Sequence, residues 1–311
     1  MSSRPRRSNL LSFHRPTLHL ERAPIPVLKP ESKQCLQTLL HYRPPKQRVN
    51  YPKSRSAAVL VALFVGRYGD LYVLLSRRAS TLRTYAGDTS LPGGKWEPRD
   101  RNLEQTARRE AFEEIGLPID NRKVPLLCIL EPFIAGSPGQ LIVTPVVVLV
   151  LDKTIKPILN TPEVASLFSH PLAALLHSEP PFATEQEMLE LKYHTHHDVD
   201  WRGRGKVRMH RFLTGREAGG TKPIFGFTAG VLIRVATIGY GREPDFDVYT
   251  PDQPSQEERI AFELQVNPIL REACRTEGID PDKAPEPSSL RTARRSDGPR
   301  GHRRRAVRSK L

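Results

Sequence analysis

Cysteine is scarce in this chain, and what there is does not cluster. Cys35, Cys128 and Cys274 are the only three in 311 residues. They form no CxxC pair and no even framework, which excludes a disulfide scaffold and a cysteine-ligated zinc module and fits a reducing compartment. A long apolar run is also missing. The best, Leu141 to Leu151, is broken by Thr144 and Pro145 and is too short to span a bilayer; it reads as a buried strand. Internal repeats are absent.

Acid is missing from the start of the chain, where Glu21 is the first carboxylate. This Arg-, Ser- and Pro-rich stretch reads either as a disordered arm or as a mitochondrial transit peptide, although Pro5 and Pro16 interrupt any amphipathic helix. Acid is nearly absent again at the other end. From Arg291 to Leu311 eight Arg and one Lys stand against one Asp, a net +8 out of the chain's +14, which leaves +6 for the rest. Such a balance suits a polyanionic partner: nucleic acid, a membrane surface or a phosphorylated small molecule. No aromatics are interleaved with the arginines, which argues against nucleic acid. Beyond Asp282 the hydrophobic pattern disappears and the tail reads as disordered.

What is present begins near Ser54. Ala57–Gly66 and Leu71–Arg77 are rich in β-branched residues and Leu, with RYGD between them, and read as a hairpin. Thr89–Leu91 is a short extended piece. Asn102–Gly116 reads as a helix: Asn102 caps it, Gln105 completes a capping-box pattern, and Gly116 ends it. Val124–Phe133 and Leu141–Leu151 read as strands. Leu172–His177 reads as a short helix, 179–222 as polar and irregular with a strand at Val207–Leu213. Phe227–Gly239 and Gln256–Gly278 read as helices.

The helix over 102–116 carries the chemistry. In Arg109-Glu110-Ala111-Phe112-Glu113-Glu114-Ile115-Gly116, the spacing puts Glu110, Glu113 and Glu114 on one face. Carboxylates clustered in this way repel one another and call for a compensating cation. Hard oxygen donors suit Mg²⁺ or Mn²⁺. Arg109 is placed to pair with one carboxylate and hold its orientation. The upstream Gly93-Gly94 pair allows the backbone to come close, so that a carbonyl can also reach a metal.

These residues resemble the Nudix hydrolase box: a glycine, a spaced acid, then Arg-Glu-apolar-any-Glu-Glu-any-Gly-apolar. Gly94 takes the place of the glycine, and Arg109 to Leu117 match the second half throughout. One extra residue lies between Gly94 and Arg109, and Asp100 stands where the family has a glutamate. The longer box resembles the coenzyme A diphosphatase branch. Leu74–Gly94 (LLSRRASTLRTYAGDTSLPGG) resembles that branch's second motif, and Glu163–Leu176 and Pro223–Ala229 resemble elements later in the domain. The resemblance runs over roughly residues 54 to 240.

The resemblance implies an α/β/α sandwich around a mixed sheet, flanked by disordered basic tails. It divides the chain into an arm over 1–53, a Nudix domain over 54–240, a helical extension over 241–282 and an Arg-rich tail over 283–311. It implies a Mg²⁺- or Mn²⁺-dependent diphosphatase that cleaves coenzyme A or its acyl forms to 3′,5′-ADP and 4′-phosphopantetheine. Catalysis falls to Arg109, Glu110, Glu113 and Glu114. The metal falls to Glu110, Glu113, Glu114 and Gly94, and substrate binding to Arg77, Arg78, Arg83, Gly93 and Gly94. The same chemistry on ADP-ribose, a dinucleotide or capped RNA is the nearest rival, and a basic nucleic-acid-binding scaffold is the rival of another class.

Two further signals stand apart from the box. The terminal Ser309-Lys310-Leu311 is a receptor-read peroxisomal address, which makes a peroxisomal import receptor the expected partner; a mitochondrial location is the alternative. His194, His196, His197, Asp198 and Asp200 match no structural zinc spacing and read as a solvated loop, part of an insertion or lid at the substrate mouth.

Overall fold

The computed structural model describes residues 18–283 apart from 48–49, 137–140, 152–154 and 181–190. The terminal tripeptide Ser309-Lys310-Leu311, the tail after Lys283 and the first seventeen residues lie outside that set. No helix among the described residues is long and apolar enough to cross a membrane.

A mixed eight-stranded sheet forms the centre. Its spine is β1 (Ser56–Val65), which runs parallel to β7 (Leu141–Leu149) and antiparallel to β2 (Leu71–Arg78). β3 (Thr89–Ser90) and β8 (Val164–Pro171) flank β2, β4 (Gly93–Lys95) pairs with the start of β1, and β5 (Leu126–Ile129) and β6 (Phe133–Ala135) pair with β7. Both faces of β1 are covered, which is why its sequence is apolar throughout rather than alternating.

Helix α2 (Leu103–Ile115) lies on one face. Its stripe Leu103, Ala107, Ala111 and Ile115 recurs every fourth residue and packs on Ala58, Leu60, Ala62, Val146 and Val148. The Asn102 side chain accepts the Gln105 N–H at 2.9 Å, as expected. The Gln105 side chain, however, takes the Arg101 N–H at 2.9 Å, one residue earlier than a capping box would have it. Gly116 ends the helix in the left-handed region at φ 69°. Helix α3 (Gly226–Tyr240) lies on the opposite face, against Val61, Leu63, Val73, Leu75 and Val147. The two helices and the sheet make the α/β/α sandwich.

Several elements differ from expectation. A helix over Pro30–His41, α1, precedes Ser54 and buries Cys35, Leu36 and Leu39 in the α3-side core, so the packed chain starts well before the hairpin. The strand expected over 124–133 is two strands, separated at Glu131-Pro132, where proline has no ladder donor. The Val164–Pro171 stretch is a strand, and the turn after it is a short 3₁₀ segment, Leu172–Leu176. Within 179–222 lies an antiparallel ribbon, β9 (His194–Asp200) with β10 (Lys206–Phe212), extended by β11 (Ile224–Phe225). The last helix is two, α4 (Gln256–Val266) and α5 (Pro268–Thr276), broken where Asn267 caps the second and Pro268 cannot continue the first.

The ribbon is anchored at its tip. Arg202 pairs with the buried Glu263 of α4 at 2.7 Å, and the Trp201 ring meets Phe262 edge-on at 5.1 Å. Ile260, Leu264 and Leu270 of the C-terminal helices share a core cluster with Ile134 and Ile142. Replacing Leu36 of α1 with Ala removes a fully buried side chain. The expected loss is about 2–5 kcal/mol of unfolding free energy, read from urea titration; wild-type stability would mean that α1 is not part of the core.

Candidate active site

The arginine of the carboxylate helix is the hub of the site. Arg109 donates through Nε and Nη2 to the two oxygens of Asp100, both at 3.0 Å. Its Nη2 also reaches the Lys95 carbonyl at 3.0 Å, and its Nη1 reaches Glu110 at 2.8 Å and Glu113 at 3.1 Å. These contacts account for all five guanidinium donors. Asp100 is equally committed. It accepts the Glu97 N–H at 3.1 Å and the Thr106 hydroxyl at 2.9 Å, with its side chain 1% exposed. Burial alone pushes the Asp100 carboxyl up, but the hydrogen bonds from Arg109, Glu97 and Thr106 outweigh it and hold it below the usual carboxylate range. The acid in the spaced position of the box thus fixes Arg109, which in turn fixes Glu110 and Glu113.

The glycines upstream let the strand and the carboxylates touch. A Cβ on Gly94 would collide with the Glu110 carboxyl group, and one on Gly93 would collide with the Ala58 carbonyl of the neighbouring strand. Glu110 therefore lies directly against the β4 backbone. Glu114 is buried and accepts a backbone hydrogen bond from Gly93. Burial pushes its carboxyl up to about 8, with a further push from Glu110 and Glu163 that Arg78 partly offsets. Burial also pushes Glu110 up, against the pull of Arg109. Glu113 is more exposed and bonds Arg99 at 3.0 Å as well.

The three arginines of the second motif go to three places. Arg78 is the one whose charge reaches Glu114, and its Nε is buried with no partner among the described residues. Arg77 adjoins it in β2, at an irregular step in the pairing with β8, and goes elsewhere. It donates to the Gly219 carbonyl at 3.3 Å and holds the loop after β10. Arg83 is exposed on the loop between β2 and β3. Of the three, only Arg78 joins the carboxylates. Glu163, just before β8, is a further neighbour, and the sequence pattern does not single it out. Its carbonyl accepts the Ala79 N–H at 2.8 Å, which seats it beside the end of β2. No spacing signal links it to a helix so far upstream.

The histidine group lies on a strand rather than a loop; His196, His197, Asp198 and Asp200 are exposed, as expected, and only His194 of the group is buried. His194 and His210 are buried, and the His194 ring stacks on Phe246 with centroids 3.9 Å apart. The Val248 carbonyl can only accept, so His210 Nε2 donates to it at 2.9 Å and His210 Nδ1 accepts from His194 Nε2 at 2.9 Å. Burial, then the neighbouring His210 and His196, push His194 down to about 4. Asp198 pairs with Arg208 at 2.8 Å, and Asp200 accepts the Gly203 N–H at 2.8 Å. The contacts of His194 with Phe246 and of His210 with Val248 tie the ribbon to the segment before α4, and the other two brace the ribbon itself.

Among the described residues no three Asp, Glu, His or Cys side chains are gathered tightly enough to chelate a cation as they stand; Arg109 holds two of the three helix carboxylates. The donor chemistry fits a hard divalent cation all the same. Every donor is an oxygen, and burial, with repulsion between neighbouring carboxylates, holds Glu110 and Glu114 above the ordinary carboxylate range, a shift that a bound cation would reverse.

Residues 54–214 match the NUDIX domain, and the chain belongs to the Nudix family. It is 42% identical over 195 residues to the protein called Nudix hydrolase 15, mitochondrial, of Arabidopsis thaliana, covering 62% of each chain. It is 45% identical over 93 residues to peroxisomal coenzyme A diphosphatase 1 of Saccharomyces cerevisiae, covering 29% of this chain and 27% of that one. It is 30% identical over 202 residues to a peroxisomal coenzyme A diphosphatase of Mus musculus, covering 65% of this chain and 77% of that one. The chain thus spans less than two thirds of the length of the plant and yeast relatives.

The raised Glu114 carboxyl makes stability depend on pH. A group raised on folding from 4.5 to about 8 stabilises fully below its unfolded value, and that contribution is lost as pH rises through about 8. In metal-free protein, wild type should lose melting temperature between pH 5 and pH 9 relative to Glu114→Gln, on a scale of roughly 2–4 °C per kcal/mol. Calorimetric scans across that range check it; parallel curves for the two proteins would show that Glu114 titrates normally.

Proposed function

We propose that the chain is a Mg²⁺- or Mn²⁺-dependent diphosphatase that cleaves coenzyme A or its acyl derivatives into 3′,5′-ADP and 4′-phosphopantetheine or its acyl form. The observation that carries this reading is the meeting of two motifs: Arg78, from the 74–94 stretch that resembles the coenzyme A branch, acts on Glu114 of the carboxylate helix. The names of the yeast and mouse relatives support the same substrate.

Glu110, Glu113 and Glu114, with the Gly94 carbonyl, would hold the cation. When bound, it supplies positive charge against the diphosphate oxygens and acidifies water. Arg109, fixed by Asp100, keeps Glu110 and Glu113 in orientation. A glutamate of this cluster takes the proton from the attacking water. Arg78, with an unused Nε, meets a phosphate oxygen of the substrate by a charge-assisted hydrogen bond. To Arg83, exposed on the loop between β2 and β3, we assign the more distant 3′-phosphate. The terminal Ser309-Lys310-Leu311 directs the enzyme to the peroxisome through the import receptor, in keeping with the names of the yeast and mouse relatives; the plant relative's name supports the mitochondrial alternative.

The test is a product assay on the purified full chain with Mg²⁺ or Mn²⁺ and a panel of coenzyme A, acyl-coenzyme A, ADP-ribose, a dinucleoside polyphosphate and capped RNA. Coenzyme A or its acyl form should give the highest kcat/KM, with 3′,5′-ADP as a product. Glu114→Gln should lower turnover on the order of a thousandfold, since the cation contributes several kcal/mol of charge stabilisation. Preference for another diphosphate would replace the substrate assignment. Near wild-type turnover in Glu114→Gln at saturating metal would overturn the carboxylate assignment itself.

A further inference from the structure

A cavity lies across the sheet from the carboxylate helix. Helix α3 packs on the face of the sheet opposite α2, and Arg234 of α3 lines this cavity of about 510 Å³. Its other walls come from the chain after α1, the Glu131-Pro132 turn and the segment leading into α4. The volume is within the usual range for small-molecule pockets.

Several polar groups in its walls are donors with capacity to spare. Glu131 has both oxygens occupied, by the Tyr42 hydroxyl and by Arg234 Nε, each at 2.6 Å. It therefore orients the guanidinium and offers little further to a ligand. Beyond the nearby Tyr42 hydroxyl, the Arg234 terminal nitrogens have no partner among the described residues, although the side chain is only 34% exposed. The Gln47 amide nitrogen is buried with no partner among the described residues. Tyr51 is mostly buried, and its hydroxyl bonds to nothing among them; burial pushes it up to about 12, so it stays a donor. Lys46 and the ring of Tyr249 complete the lining. Unsatisfied, half-buried donors are costly, and here they converge on one space.

We infer that this cavity binds a small molecule bearing an oxyanion, a phosphate ester or a carboxylate, with the Arg234 fork and the Tyr51 hydroxyl as its principal donors. A planar guanidinium held through Nε, with terminal N–H groups to spare, matches a phosphate or carboxylate edge in two parallel hydrogen bonds. The rings of Tyr51 and Tyr249 flank the carbon skeleton. Glu257 also lines the space, which favours a ligand with a single anionic group over a polyanion. This site uses none of the residues assigned to hydrolysis, and its existence does not depend on which diphosphate the enzyme cleaves.

The experiment is calorimetric titration of the full chain, with chelator present, using inorganic phosphate in one arm and butyrate, a monocarboxylate, in the other. Wild type should show saturable binding in at least one arm, and the arm that responds tells which oxyanion the site takes. Arg234→Met should weaken it about tenfold or more, the scale of a lost charge-assisted pair. Tyr51→Phe, which preserves the ring's packing, should weaken it severalfold while leaving hydrolysis unchanged. If Arg234→Met does not fold, the Tyr51→Phe comparison decides alone. Absence of saturable binding in both arms, or wild-type affinity in Tyr51→Phe and in any folded Arg234→Met, would overturn the site.

Discussion

The buried ion pair between Asp100 and Arg109 is the contact on which the carboxylate site depends. Arg109 sits at the meeting point of the β4 strand, the loop after it and the helix, and it bonds all three. Without Asp100, its guanidinium would lose two of five acceptors in a nearly closed environment. The loop between Lys95 and Asn102 would then lack the carboxylate that gathers the Glu97 N–H and the Thr106 hydroxyl. Glu110 and Glu113 would lose the partner that sets their rotamers.

The sheet keeps two kinds of chemistry apart. On the α2 face, carboxyl groups collect against glycine-rich backbone, with Arg109 bonded to Asp100, Glu110 and Glu113 and with Arg78 near Glu114. On the α3 face, Glu131 is saturated and several donors have capacity to spare. The end of β2 makes the division concrete. Arg78 belongs to the carboxylate face, and Arg77, its neighbour in sequence, restrains the loop after β10. The His194–His210–Val248 chain and the Arg202–Glu263 pair then fasten the ribbon and the C-terminal helices to the domain. A ribbon held at its tip and its flank differs from the loose insertion that its polar sequence suggests.

Much of the site is legible in the sequence because helical periodicity is a local rule. It places Glu110, Glu113 and Glu114 together and gives the helix its cap and its stop. The hairpin, β7 and α3 are legible for the same reason, being long and strongly patterned. Features that depend on the path of a loop or on distant packing are not. The spacing alone leaves the partner of Asp100 open. Glu163 comes to Glu114 through strand pairing between β8 and β2, which no nearby residue announces. Helix α1 is hidden among prolines and basic residues, and only Cys35, Leu36 and Leu39 carry its apolar face. The different destinations of Arg77 and Arg78 need the strand to run on to Arg78, one residue beyond the Leu71–Arg77 that the pattern gives, past an irregular step in its pairing with β8.

The most direct measurement is Mn²⁺ affinity by electron paramagnetic resonance for wild type, Asp100→Asn and Asp100→Glu, with circular dichroism confirming that each is folded. If Asp100 organises the carboxylates through Arg109, Asp100→Asn weakens Mn²⁺ binding about 10–100-fold, as loss of an outer partner does at metal sites. Asp100→Glu should fail to restore it, because that side chain is 1% exposed and a further methylene would shift the carboxylate off its partners Arg109, Glu97 and Thr106. Wild-type affinity in Asp100→Asn would contradict the role of this pair.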